Sequence, residues 1–251
     1  MAKPADPFFV GWGKIPKGLR PFLIACSVFI LVFFATVSYV ISSTQTDTQG
    51  GAFMGPATAI GILRADPYPV LHVIESNRYA RGETILLTGG GKRGVIKRAK
   101  DLDGRTVRIA GTTLQRGDLN GLQLRNGQNG LRADDSETDG FAVRTTQLGR
   151  WKLTGEICDG KCLNGAMRPG RGLAHKACAN LCLLGDVPPV FVSSGAVEGS
   201  QFLLMANAKG GPVTQDILNF TATYVEIEGV VERHGDLLVF NIDPKTIRHA
   251  P

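Results

Sequence analysis

Two copies of one unit dominate this chain. Residues 83–124 align without a gap on residues 201–242, at an offset of 118. Val107, Ile109, Gly111, Gly117, Asp118, Leu119, Leu122 and Leu124 fall on Val225, Ile227, Gly229, Gly235, Asp236, Leu237, Phe240 and Ile242. Long-period self-similarity means one supersecondary unit used twice. At 251 residues the chain is long enough for two small domains with cores of their own. The copies differ in one place. Only the second carries a Cys/His cluster, where the first has a short turn, so that loop is the distinctive site.

Residues 21–42, PFLIACSVFILVFFATVSYVIS, carry no charge. As a helix, this stretch spans about 33 Å, enough for a bilayer core of about 30 Å. No Ala-x-Ala stands just after it, so it is expected to stay as an uncleaved anchor. Lys3, Lys14, Lys17 and Arg20 precede it, and residues 43–63 hold no Lys or Arg. The positive-inside rule then puts residues 1–20 in the cytoplasm and the rest outside, on a bacterial inner membrane. Phe8, Phe9 and Trp12, with Lys14, Lys17 and Arg20, are expected at headgroup level, against membrane lipids. The net charge of +6 is a weak guide. Four of the 28 basic and one of the 22 acidic residues precede the anchor, which leaves the remainder at +3. That does not argue for a polyanion-binding surface.

Residues 43–56 are polar and Gly-rich and are expected to form a tether. A first domain is expected over 57–126, with strands at 59–63, 70–74, 83–88, 106–114 and 120–124 and a short helix within 94–102. Residues 127–149 are polar, acidic at the centre, and expected to be a linker or long surface loop. The second domain, 150–251, repeats the order with strands at 151–157, 189–193, 201–206, 224–232 and 237–242. Residues 213–220 take the place of the helix. The fold class is therefore mainly β: one transmembrane helix, then two tandem small OB-like barrels, the second with a Cys-rich helical insertion. Arg116–Asp118 reads as a hairpin turn with no adhesive meaning.

Gly155 and Pro189 take the roles of Gly61 and Pro69, which puts the insertion in the loop between the first two strands, over residues 158–187. Cys158 and Cys162 are four apart, as are Cys178 and Cys182. In a helix stopped by Gly185 and Pro188, His175, Cys178 and Cys182 share one face. Two chemistries compete. In an oxidising compartment, Cys178 and Cys182 pair across to Cys158 and Cys162 as two disulfides, at about 2–4 kcal/mol each. Alternatively, thiolates and His175 hold zinc, copper or an iron–sulfur centre, with Met167 as a thioether in a copper site. A reactive thiol pair is a third option. There is no Cys-x2-Cys of the thioredoxin or haem-attachment kind. Cys26, inside the anchor, is expected to be an apolar filler.

The residues Cys158, Cys162, His175, Cys178, Ala179, Cys182, Gly185, Pro188 and Pro189 form a pattern that resembles a loose family of uncharacterised exported bacterial proteins with a Cys/His-containing OB-like domain. The likeness covers about residues 153–193. It implies a real module and an exported location, and supplies no mechanism.

No Ser/His/Asp set, paired-carboxylate motif, phosphate loop or dinucleotide fingerprint stands out. The Gly-rich run at 89–94 lacks phosphate-loop spacing and reads as a turn. Nucleic acid is not expected as a ligand, since no aromatic-basic stripe is present. The expectation is a non-catalytic accessory subunit or assembly factor of a membrane complex, respiratory or otherwise electron-transferring. It would bind integral-membrane partners through a disulfide-stapled module and need no cofactor. The alternative is a metal-binding or redox protein using Cys158, Cys162, His175, Cys178 and Cys182.

Overall fold

A computed structural model describes residues 15, 17–44, 50–138, 140–213 and 215–250 of the chain. Phe8, Phe9, Trp12 and Lys14 lie outside these residues. The chain divides into an N-terminal unit ending at Asp47 and a unit from Thr48 to Pro251.

The first unit holds α1 (Arg20–Thr44), preceded by a 3-10 turn, Lys17–Leu19. Arg20 is exposed at the helix start. The helix is apolar all round and is long and apolar enough to cross a membrane. Its hydroxyls bond internally. Thr36 Oγ1 donates to Val32 O at 2.8 Å and Thr44 Oγ1 to Val40 O at 2.8 Å. Self-satisfied polar groups of this kind suit an apolar surrounding.

The second unit is built on two six-stranded sheets with one pairing scheme. The first sheet has β1 (Ala52–Arg64), β2 (Val70–Ser76), β3 (Thr84–Thr88), β4 (Thr106–Arg116), β5 (Leu119–Leu124) and β6 (Leu131–Ala133). Its pairings run β1–β2–β3–β5–β4 and return to β1, with β3–β5 parallel and β6 beside β4. The second sheet has β7 (Thr145–Asp159), β8 (Pro189–Val197), β9 (Ser200–Asn207), β10 (Tyr224–His234), β11 (Leu237–Ile242) and β12 (Arg248–His249). It repeats the scheme strand for strand, with β9–β11 parallel and β12 beside β10. The bounds of β10 and β11 are those of β4 and β5 moved by 118 residues. Gly111 and Gly229 show why the repeat keeps glycine. A Cβ there would come within 2.2 Å of Gln123 O and 2.4 Å of Asn241 O, the same carbonyl in each copy.

Two stretches belong to the sheets more fully than the sequence suggests. Ala52, expected in the tether, already pairs with Gln115, and a register shift between Phe53 and Pro56 carries β1 round a bulge. The expected linker supplies β6 and the start of β7. The short helix of the first half is α2 (Ile96–Ala99), tightening into a 3-10 turn, Lys100–Leu102, and its counterpart is the 3-10 turn Gln215–Asn219.

Each sheet encloses a core. Leu63, Leu71, Ile85, Leu87, Ile109 and Leu122 fill the first, and Ile157, Phe191, Leu203, Met205, Ile227 and Phe240 the second. A third cluster belongs to both halves and includes Val70, Leu86 and Leu119 with Val190, Phe202, Leu204 and Val239. Strand alternation produces it. In β3, Ile85 and Leu87 point to one core while Leu86 points to the shared cluster; in β9, Leu203 and Met205 do the first and Phe202 and Leu204 the second. Strands buried on both faces read as unbroken apolar runs, as TILLT and FLLMA do. At about 1.5–3 kcal/mol per fully buried large side chain, this cluster is a substantial bond between the halves.

A cleft of about 280 Å³ opens at the edge of that cluster, lined in part by Arg64, His72, Asp103 and His234. His72 is buried, with Nδ1 3.0 Å from Thr84 Oγ1. Burial first, then the charges of His234 and Arg64, push its pKa from 6.5 down to about 4. The unfolded chain therefore binds the extra proton between these values. Stability is predicted to be full above pH 6.5 and to fall by up to about 3 kcal/mol as the pH drops to 4. Denaturant unfolding of wild type and His72→Met over that window checks this, with a flatter profile expected for the variant.

Candidate metal centre

The inserted module starts at the end of β7 and rejoins the sheet at β8. Gly155 pairs with Ser193 as Gly61 pairs with Val73, so the insertion sits at the predicted point between the first two strands of its copy. Asp159, the last residue of β7, turns the chain. Its Oδ1 accepts from Cys162 N at 2.8 Å, and its Oδ2 lies 3.0 Å from His175 Nε2. Cys162 opens a wide helical turn, Cys162–Ala166. The chain then returns through Arg171 and Gly172. Buried Glu156 accepts from Arg171 Nε at 3.2 Å and from Gly172 N at 2.5 Å, which pins this loop to β7.

The predicted helix is α3 (Lys176–Leu184), and Gly185 caps it as expected by donating to Cys182 O and Leu183 O. His175 stands just before the helix, buried, with αR backbone. Its position brings the ring to Asp159, while Cys178 and Cys182 turn to Cys162.

The structure splits the five predicted ligands. Sulfurs of Cys162, Cys178 and Cys182 all lie within 4.8 Å of one another, and Cys162 also groups with Asp159 and His175 within that distance. Cys158 is not in either group. Its Sγ donates to Glu156 Oε1 at 3.4 Å, in the cluster shared by the two sheets. Burial, then the Glu156 carboxylate, push this thiol far above its ordinary value, so it stays protonated and inert. The expected cross-bridging is corrected accordingly. The described cysteines are free, and the Cys162 and Cys182 sulfurs are 4.0 Å apart. The two-by-two pairing fails because Cys158, on a strand, faces the inter-sheet cluster while Cys162, past the turn, faces α3. Met167 joins the group: Cys178 Sγ lies 3.6 Å from its Sδ. Cys26 lies in α1, partly exposed.

The remaining parts come from the first copy. Lys92 Nζ is 2.6 Å from Cys178 Sγ. Lys161, nearly fully buried, sends its Nζ to Gly89 O and Gly91 O, both at 2.6 Å. Gly94 N donates to Gly185 O at 2.6 Å. The backbones meet so closely that a Cβ at Gly94 would stand 1.8 Å from Asp186 O, and one at Gly185 1.9 Å from Lys92 O. At the other end, Arg116 Nε donates to Leu163 O at 2.6 Å. The module of the second copy is thus clamped onto the first, and the Gly-rich run at 89–94 is its seat.

Charge follows from this docking. The thiol contact raises the Lys92 pKa, and burial lowers that of Lys161 against the pull of the thiols. Cys162 and Cys182 share a hydrogen bond that holds the Cys162 proton in place and, with the nearby Lys92 charge, eases ionisation of Cys182. Of the grouped thiols, Cys182 is the one whose ionisation this arrangement eases, and thiolate is the form that binds soft metals. Sequence reasoning missed Lys92, Lys161, Asp159 and Glu156. The only signals were a lysine between two cysteines and a basic Gly-rich run in the other copy.

Compared with family models, curated proteins and solved structures, the chain matches none.

Gly94→Ala is predicted to cost about 1–3 kcal/mol by overpacking and to loosen the module. Denaturant unfolding measures the first effect, and faster alkylation of Cys162 and Cys182 in the native protein the second.

Proposed function

We propose that this protein is a membrane-anchored, extracytoplasmic accessory protein that holds one soft metal ion in the Cys162/Cys178/Cys182 cluster. The observation that carries this reading is the gathering of three free thiols within 4.8 Å, beside a thioether, in a module pinned by buried hydrogen bonds. It reverses the order expected from spacing and compartment, in which disulfides came first. Outside the cytoplasm, grouped thiols oxidise unless something occupies them, and a bound ion does so.

The fold fits the role. Each ring of five pairings has one parallel contact before its final hairpin, which supports the OB-type barrel for each half. The anchor and the basic residues before it support a single-pass protein of the inner membrane with its N-terminus inside. Held there, a metal-carrying module is within reach of integral-membrane partners, including electron-transfer complexes. No catalytic constellation accompanies it among the described residues, so the proposed role is to hold or hand on the ion.

Full-length protein purified in mild detergent under reducing, oxygen-free conditions is predicted to bind one equivalent of a thiophilic metal. Serine at Cys162, Cys178 or Cys182 is predicted to abolish stoichiometric binding, and Cys158→Ser to retain it. Metal analysis with intact-mass thiol counting checks both. A protein that isolates without metal and with Cys158 joined to one of the other three contradicts the proposal.

A further inference from the structure

The cluster has a closed end and a mouth. Cys162 and Cys182 are buried, Cys178 is partly exposed, and Met167 is 44% exposed. Passing outward, the donors are therefore two enclosed thiols, a third at the rim and a thioether at the surface. All four are sulfur. The nearby imidazole is occupied. His175 Nε2 lies 3.0 Å from Asp159 Oδ2, and the two side chains are 2% and 0% exposed.

This order of donors discriminates between metals. Zinc in a protein site takes four ligands in a tetrahedron, from thiolate, imidazole or carboxylate. Three thiolates here leave zinc to complete its tetrahedron with water or by drawing on the Asp159–His175 pair, whose two side chains already bond each other. Copper(I) is softer and accepts thiolate and thioether together. Lys92, 2.6 Å from Cys178 Sγ, and Lys161, anchored on Gly89 O and Gly91 O, place positive charge beside the thiolates.

Deepening the soft-metal reading and resting on it, we propose that the ion is copper(I), bound by the thiolates of Cys162, Cys178 and Cys182. Met167 is the thioether through which it enters and leaves, and Lys92 of the first copy is a fixed counter-charge. Binding replaces three S–H bonds with three S–Cu bonds and releases the thiol protons to solvent. Copper stays in the +1 state, so the step needs no oxidant or reductant. Lys92 acts through the thiolates and is a positioning residue, not a ligand. Because it comes from the other half of the repeat, loading the site also tightens the hold of the module on the first sheet.

The test is a competition on the reduced full-length protein in detergent, without oxygen. Copper(I) is offered as its complex with a chromophoric chelator, with and without excess zinc(II). The expected result is withdrawal of one copper(I) per chain from the chelator and its retention against zinc. Met167→Leu is expected to reduce copper(I) retention relative to zinc, and Lys92→Gln to weaken copper(I) binding by on the order of tenfold or more. Retention of zinc in preference to copper(I) overturns the copper assignment while leaving the soft-metal reading in place. An unchanged metal preference in Met167→Leu overturns the part given to the thioether. Failure to bind either metal, with all the thiols still free, overturns both proposals.

Discussion

The close backbone contact between Gly94 and Gly185 is the constraint on which the rest of the site depends. Neither position has room for a Cβ, and one hydrogen bond of 2.6 Å joins them. That seat brings Lys92 to Cys178 and gives Lys161 two carbonyls to hold. Without it, the module is a loop with only a small apolar centre of its own, made of Cys162, Cys182 and Val187 with Cys178 packed against them. Such a centre offers too little apolar burial to offset the entropy of ordering about thirty residues. The sulfur geometry is therefore a property of two copies docked together.

The buried charges serve the same end. Glu156, Asp159 and Lys161 are all nearly enclosed, and each is matched by named donors or acceptors. Withdrawing them from water costs free energy that the pairing roughly returns. Their value lies in geometry, because a satisfied buried network admits few alternatives. Asp159 shows this best. One carboxylate fixes the Cys162 amide and the His175 ring, and so sets where β7 ends and how α3 begins.

Much of the fold was legible in the sequence because it is local or repeated. The apolar run of α1, the 118-residue offset of β4 and β10, and the stop at Gly185 all follow from pattern and turn chemistry. The point of insertion was legible too, since Gly61 and Gly155 occupy matching registers. The separation of Cys158 from the other thiols was not. Four-residue spacing suggests a pair, but Cys158 lies on a strand that is buried on both faces at its end, and the next turn carries Cys162 elsewhere. Nor could spacing show that Lys92, 86 residues before Cys178, belongs to the site. Nor was it anticipated from the sequence that β3 and β9 are covered on both faces, the second cover being the other copy.

A short reagent that joins amines to thiols tests the clamping of the module most directly. Applied to the intact, reduced, full-length protein and followed by peptide mapping, it reports which lysine stands beside the rim thiol. The account predicts a dominant link from Cys178 to Lys92, across the two halves of the repeat. Links from Cys178 to Lys209 or Lys245 of its own half, with none to Lys92, would contradict it.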